Sequence, residues 1–144
     1  MMNVAPVVFL IPIITAALVL IWLLSWRRFR AQMTSLRKEM SQAGEALVVG
    51  PEVGLYYGSW GICVLKYPCA FALTDRRVVC RRPIGADISI PLSSVVGVSE
   101  CKWFQGNYRG GRTFVVLELA DGGPFGFIVK VPVRWHQEIS SRIG

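Results

Sequence analysis

Between Val4 and Trp26 the chain runs 23 residues, VAPVVFLIPIITAALVLIWLLSW, without one charged side chain. As a helix rising about 1.5 Å per residue, this run is roughly 35 Å long, enough to cross a hydrocarbon core of about 30 Å with some tilt. Fourteen of its residues are Val, Ile, Leu or Phe; each contributes roughly −0.3 to −0.6 kcal/mol on insertion, which outweighs Thr15, Ser25 and two prolines. A buried core helix of a soluble protein would need a globule around it that the remaining chain can hardly supply. The run predicts a membrane span, and the rest of the chain is what that span holds in place.

Orientation follows from the flanks, because Lys and Arg resist translocation and collect on the cytoplasmic side. Met1, Met2 and Asn3 precede the span, whereas Arg27, Arg28, Arg30, Arg37 and Lys38 follow it. This predicts a single-pass signal anchor over residues 1–26, with the N-terminus outside and the C-terminal domain cytoplasmic. A cleaved signal peptide carries its bases before the apolar run and small residues at a cleavage point after it. Ala16 and Ala17 could imitate such a point, and cleavage would leave the domain outside the cytoplasm. Trp22 and Trp26 fall where an aromatic belt meets cytoplasmic headgroups. Pro12 frees a backbone carbonyl inside the span and is a candidate kink.

The formal charge of +7 is unevenly spread. Arg27–Glu39 holds five bases and one acid, and Ala43–Gly144 eleven bases and eight acids, so more than half the excess lies beside the membrane. That placement points to topology and anionic headgroups, not to nucleic acid, for which no basic motif with stacking aromatics is present. Cys63, Cys69, Cys80 and Cys101 contain no C-x-x-C pair, which argues against a zinc site and leaves reduced cysteines used as small strand residues. No metal or cofactor is expected. The lone histidine, His136, has no Ser, Cys or Asp partner near it in a catalytic pattern and reads as a surface or boundary residue.

Residues 27–44 read as a basic amphipathic stalk. Phe29, Met33, Leu36 and Met40 are spaced four, three and four apart, one stripe of a helix, with basic and polar residues on the other faces. Three uses are open to that stripe: lying on the inner leaflet, packing onto the domain, or self-association with a second stalk, although under two heptads is short for a coiled coil. Ala43-Gly44 is the expected break.

From Glu45 the pattern is that of strands. Short apolar or alternating runs, Leu47 to Val49, Val53 to Tyr57, Ile62 to Tyr67, Cys69 to Thr74, Arg77 to Arg82, Ile88 to Ile90, Val95 to Phe104, Thr113 to Ala120 and Phe125 to Val131, are separated by Gly, Pro, Asn or Asp. Asp121-Gly122 marks a hairpin. The period then changes: Val131, Trp135, Ile139 and Ile143 recur every fourth residue, predicting an amphipathic helix over residues 132–143 with Trp135 as a plug over an open end of the sheet. Residues 45–144 are thus expected to form one all-β body with a C-terminal capping helix.

The segment Phe71 to Arg82, FALTDRRVVCRR, followed by a Gly85 turn and Ile88 to Glu100, ISIPLSSVVGVSE, resembles the core of bacterial PH-like (pleckstrin-homology-like, GRAM-like) domains. Their pattern is an aromatic-x-Leu-Thr-Asp/Asn-x-Arg-apolar strand, a turn, and an Ile-Pro-Leu-x-x-Ile/Val strand, and the later Asp-Gly turn, apolar strand and terminal helix also fit. The resemblance covers roughly residues 45–144 and implies a bent seven-stranded sandwich or barrel capped by its last helix. In physical terms, Thr74-Asp75-Arg76 lets the chain bulge or turn with Asp75 bonding local backbone, and Pro91 starts a strand or sits on an edge. These are fold roles. Phosphoinositide-binding members carry several bases across the first two strands; here Tyr56 to Lys66 holds one, so specific inositol-phosphate recognition is not implied.

Two stretches are candidates for contact. Trp103, Phe104, Tyr108, Arg109 and Arg112 share a glycine-rich loop that suits a protein groove or a headgroup region, unless Trp103 and Phe104 end a strand and pack inward beneath a solvated hairpin tip. Tyr56, Tyr57 and Trp60 either form a second aromatic surface or pack over the core edge. The leading expectation is a membrane-anchored scaffold or accessory subunit binding a protein partner. The alternative is a reader of anionic inner-leaflet phospholipid through Arg27, Arg28, Arg30, Arg37, Lys38, Arg109 and Arg112. An enzyme is the remotest reading, because the sequence offers no acid pair, metal cluster, nucleophile motif or phosphate-binding glycine loop.

Overall fold

The computed structural model describes the backbone of residues 5–59 and 68–144, and the side chains of residues 10–58 and 68–144. Helix α1, Ala5–Gln42, is continuous through Pro12, so span and stalk form one rod of 38 residues. Its two apolar-segment hydroxyls are satisfied within the helix. Thr15 donates to the Ile11 carbonyl and Ser25 to that of Ile21, each at 2.8 Å, which lowers the cost of carrying them in lipid. The apolar window of this helix has a mean hydropathy of 2.0 and none of it is buried within the protein. It is long and apolar enough to span a membrane, and it is not a core helix.

The helix stops where the glycine predicts. Gly44 has φ +69°; its N–H donates to the Ser41 carbonyl at 3.2 Å and the Glu45 N–H to that of Met40 at 3.0 Å. This pair of bonds is the Schellman arrangement, which satisfies helix carbonyls and turns the chain away.

Among the described residues nine strands follow: β1 Leu47–Ser59, β2 Pro68–Thr74, β3 Arg77–Arg81, β4 Ile88–Pro91, β5 Val95–Cys101, β6 Trp103–Phe104, β7 Asn107–Tyr108, β8 Phe114–Leu119 and β9 Pro124–Ile128. Seven form one sheet in the order β4-β3-β2-β1-β9-β8-β5, with each described pair antiparallel, and β6 and β7 form a separate hairpin. Helix α2, Pro132–Ile143, closes the chain over the predicted span.

Two sequence boundaries are corrected. Gly50-Pro51 does not separate two strands: β1 runs through it, and the register shifts between Leu47 and Glu52 absorb the residue that cannot donate to the ladder. Gly50 is required there, because a Cβ would lie 2.6 Å from the Phe71 carbonyl oxygen. The run Val95 to Phe104 divides at Lys102 into β5 and β6. The strand expected over Ile62 to Tyr67 lies outside the described residues. Pro91 ends β4, on the sheet edge, where its missing N–H is harmless.

The sheet curls so that its two ends share one core. Ile90 of β4 and Val95 of β5 pack with Phe71, Leu73, Val78, Leu117 and Phe127. Trp135 of α2 plugs this core, fully buried and edge-on to Phe71 at 6.4 Å and Phe127 at 5.3 Å between ring centres. Its indole N–H donates to the Glu52 carboxylate.

The outer face of the sheet is covered too. Along β2, Cys69, Phe71 and Leu73 face the core while Ala70 and Ala72 face out, and with Val79 they receive Leu36 and Met40 of α1. Small side chains at the outward positions let the helix approach. Of the three uses open to the stalk stripe, packing onto the domain is the one taken. With Leu36 and Met40 at 0% and 1% exposure, a second stalk reaches the stripe only at Phe29 and Met33, so the expected self-association face is largely occupied.

Candidate functional site

The loop that the sequence singles out is built on a two-residue hairpin. Gln105 and Gly106 both have positive φ, 48° and 75°, the backbone a tight type I′ turn needs between β6 and β7. Trp103 then pairs with Tyr108 across the ladder. Their rings stack at 5.1 Å, and both stay exposed, at 66% and 50%. Phe104, one position on, points the other way and is buried with Tyr57, Phe114, Val116 and Ile128. It lies flat on Gly126, where any Cβ would come within 2.2 Å of its ring. Both alternatives for this stretch therefore hold in part: Phe104 packs inward, and Trp103 with Tyr108 forms an outward aromatic surface.

The two loop arginines part company. The Arg109 guanidinium lies 5.6 Å from the centre of the Tyr57 ring. Beyond the turn closed by the Arg112 N–H on the Arg109 carbonyl at 3.0 Å, Arg112 faces a groove of about 650 Å³ that also carries Lys130 over a floor of Val53, Leu55 and Ile128. Tyr56 and Tyr57 are buried, the first tilted against Phe125 at 5.2 Å and the second edge-on to Phe114 at 4.8 Å, which is the core-edge reading. Trp60 lies outside the described residues.

The bases that follow the apolar run, Arg27, Arg28, Arg30, Arg37 and Lys38, are all exposed. Trp22 stacks on Trp26 at 6.1 Å, and Arg30 lies 5.4 Å from the Trp26 ring centre. Arg30 and Arg37 flank a small cleft with Met33, Thr34 and Pro51. A recess formed by Trp22, Trp26 and Phe29 is lined on its other side by Val53 and Pro68 of the domain. The body therefore packs on α1 from Phe29 to Met40 and faces it up to the level where the apolar run ends.

What fixes this placement is the Thr74-Asp75 turn. The buried Thr74 hydroxyl accepts from the N–H groups of Arg76 and Arg77, at 3.2 and 3.0 Å, and donates to the Arg77 carbonyl. Asp75 does not bond local backbone, as the sequence suggests; its carboxylate accepts from the N–H of Ala46, 29 residues away, at 3.0 Å, and its own N–H returns a bond to the Ala46 carbonyl. Next to it Arg77 forks onto Glu45 at 2.8 and 3.0 Å. That hydrogen bond is the main cause holding the Glu45 carboxyl below its usual value, against the opposing effect of burial. Arg81 bridges Glu39 of the stalk and Asp87. The residues resembling the PH-like motif thus tie stalk to sheet.

Cys69 and Cys80 are buried free thiols on neighbouring strands, hydrogen-bonded to each other; that bond and burial push Cys80 upward in pKa. His136 sits half-buried on α2, 3.7 Å from Glu100. Among the described residues no cluster of His, Cys, Asp and Glu could hold a metal ion. Sequence reasoning did not single out Val53, Leu55 or Lys130. The one available signal was Lys130, a lone base ending an apolar strand.

No family model and no curated protein matches the chain. Among solved structures it is similar to the C-terminal domain of an unknown protein from Leishmania infantum, at 12% identity and a TM-score of 0.53, covering 76% of this chain and 95% of that one. At that identity the likeness speaks for the fold alone.

Proposed function

We propose that the protein is a single-pass, membrane-anchored PH-like binding module, N-terminus outside and domain cytoplasmic, that serves as a scaffold or accessory subunit for a protein partner. The reading is one of binding, not catalysis. The observation that carries it is the stacked Trp103–Tyr108 pair: large, rigid and exposed, held outward by a buried Phe104 on the same hairpin. Aromatic side chains of this kind give contact area at low entropic cost and are enriched at interface centres. Docking of α1 on Ala70, Ala72 and Val79 holds that surface at a set height above the bilayer.

A photo-crosslinking residue at position 103 of the full-length protein in native membranes tests this. A discrete heteromeric adduct is expected there, and none from position 84, which is more exposed still but carries no aromatic pair. Adducts to lipid alone, or equal labelling at both positions, would overturn the partner reading.

A further inference from the structure

We infer that the groove between Arg112 and Lys130 holds the headgroup of an anionic phospholipid drawn from the leaflet around α1. The inference rests on the membrane-anchored half of the reading above and not on the protein partner. Charge complementarity is the first argument. Arg112 and Lys130 are exposed, neither forms an ion pair among the described residues, and the described lining contains no acid. The carboxylates of Glu45, Glu39, Asp75 and Glu52 are engaged elsewhere, at Arg77, Arg81, Ala46 and Trp135.

Continuity with the span is the second argument. Val53 forms part of the groove floor and also lines the recess beside Trp22, Trp26 and Phe29. A phosphate held by the two bases would leave its acyl chains free to run past Val53 along the tryptophans into the bilayer. A soluble phosphate would gain the charges but make no use of that apolar exit. Each base beside an anionic lipid contributes roughly fivefold in affinity.

The test uses full-length protein in nanodiscs of equal parts phosphatidylcholine and phosphatidylglycerol, extracted gently and weighed by native mass spectrometry. Wild type is expected to retain phosphatidylglycerol preferentially. Arg112→Gln with Lys130→Gln should cut that enrichment about tenfold or more, with an unchanged near-ultraviolet circular dichroism spectrum. Arg109→Gln, laid over Tyr57, should change it little. Undiminished enrichment in the double variant overturns the site. So does loss through Arg30→Gln with Arg37→Gln instead, and so does displacement of the lipid by inorganic phosphate. Incorporation into the disc is scored separately by size exclusion: failure there sinks the anchored reading itself, whereas incorporation without enrichment sinks only the lipid site.

Discussion

Thr74 shows how much one buried hydroxyl can fix. With both hydrogen-bonding capacities used on Arg76 and Arg77, it closes the turn that places Asp75 on Ala46 and Arg77 on Glu45. Thr74→Val keeps the shape and strands two N–H groups, so unfolding of the full-length protein in detergent should be easier by about 2 kcal/mol; a change under about 0.5 kcal/mol would mean water replaces the hydroxyl. The neighbouring pair predicts a pH dependence. Because Arg77 holds the Glu45 carboxyl below its ordinary value, the folded chain binds fewer protons than the unfolded chain between the two pKa values. The pair's contribution is complete above the unfolded carboxylate value of about 4 and is lost as pH falls through the lower, folded value. Thermal melts of wild type and Glu45→Gln should therefore differ at neutral pH and converge in acid. From sequence, Thr74-Asp75 is legible as a turn because turn chemistry is local. Its partners, 29 and 32 residues away, are not, since nothing in the motif encodes what folds back onto it.

At the scale of elements, β2 decides where the stalk goes. Its inward residues serve the core and its outward alanines serve α1, so the strand is buried on both faces. Ala72→Leu adds volume against Leu36 and Met40 while leaving Phe71 and Leu73 untouched. We expect a loss of about 1–3 kcal/mol from overpacking and faster proteolysis at the 42–46 junction, with the core-facing side unaltered. Hydrogen exchange over the stalk and α2 checks this: protection should fall in the stalk and persist in α2. The helical stripe, the capping helix and most of the strand runs were readable from periodicity, because period reports which face is apolar. The partner of each face was not readable. A stripe of Phe29, Met33, Leu36 and Met40 looks the same whether it meets lipid, a second stalk or two alanines on a strand. The hairpin of β6 and β7 carries the same lesson: from sequence Trp103 and Phe104 read together, both exposed or both packed inward, whereas the short strand turns Phe104 onto Gly126 and Trp103 outward.

For the whole molecule, the rigid rod α1 converts helical phase into domain position. Trp22, Trp26, Phe29, Met33, Leu36 and Met40 follow one another at steps of four and three, one stripe that runs from the tryptophan pair to the docked end. Its upper part meets Val53 and Pro68, and its lower part meets Ala70, Ala72 and Val79. The groove with Arg112 and Lys130 opens beside that upper contact only because β1, β9 and the loop before β8 converge there, a convergence of three distant segments that no local pattern announces. One alanine inserted between Arg27 and Arg28 turns everything above it by about 100° and lifts it by about 1.5 Å. The lower contact should survive, so stability should change by less than about 0.5 kcal/mol. Trp22 and Trp26, however, would swing away from Val53. A cysteine pair, Trp26→Cys with Val53→Cys, should crosslink in the parent and not in the insertion variant. Four inserted residues return the phase to within about 40° and bring position 26 near the place Trp22 holds, so crosslinking should return. If the single insertion leaves the crosslink intact, the docked end yields before the rod does, and the height of the domain is set by the bilayer instead of by α1.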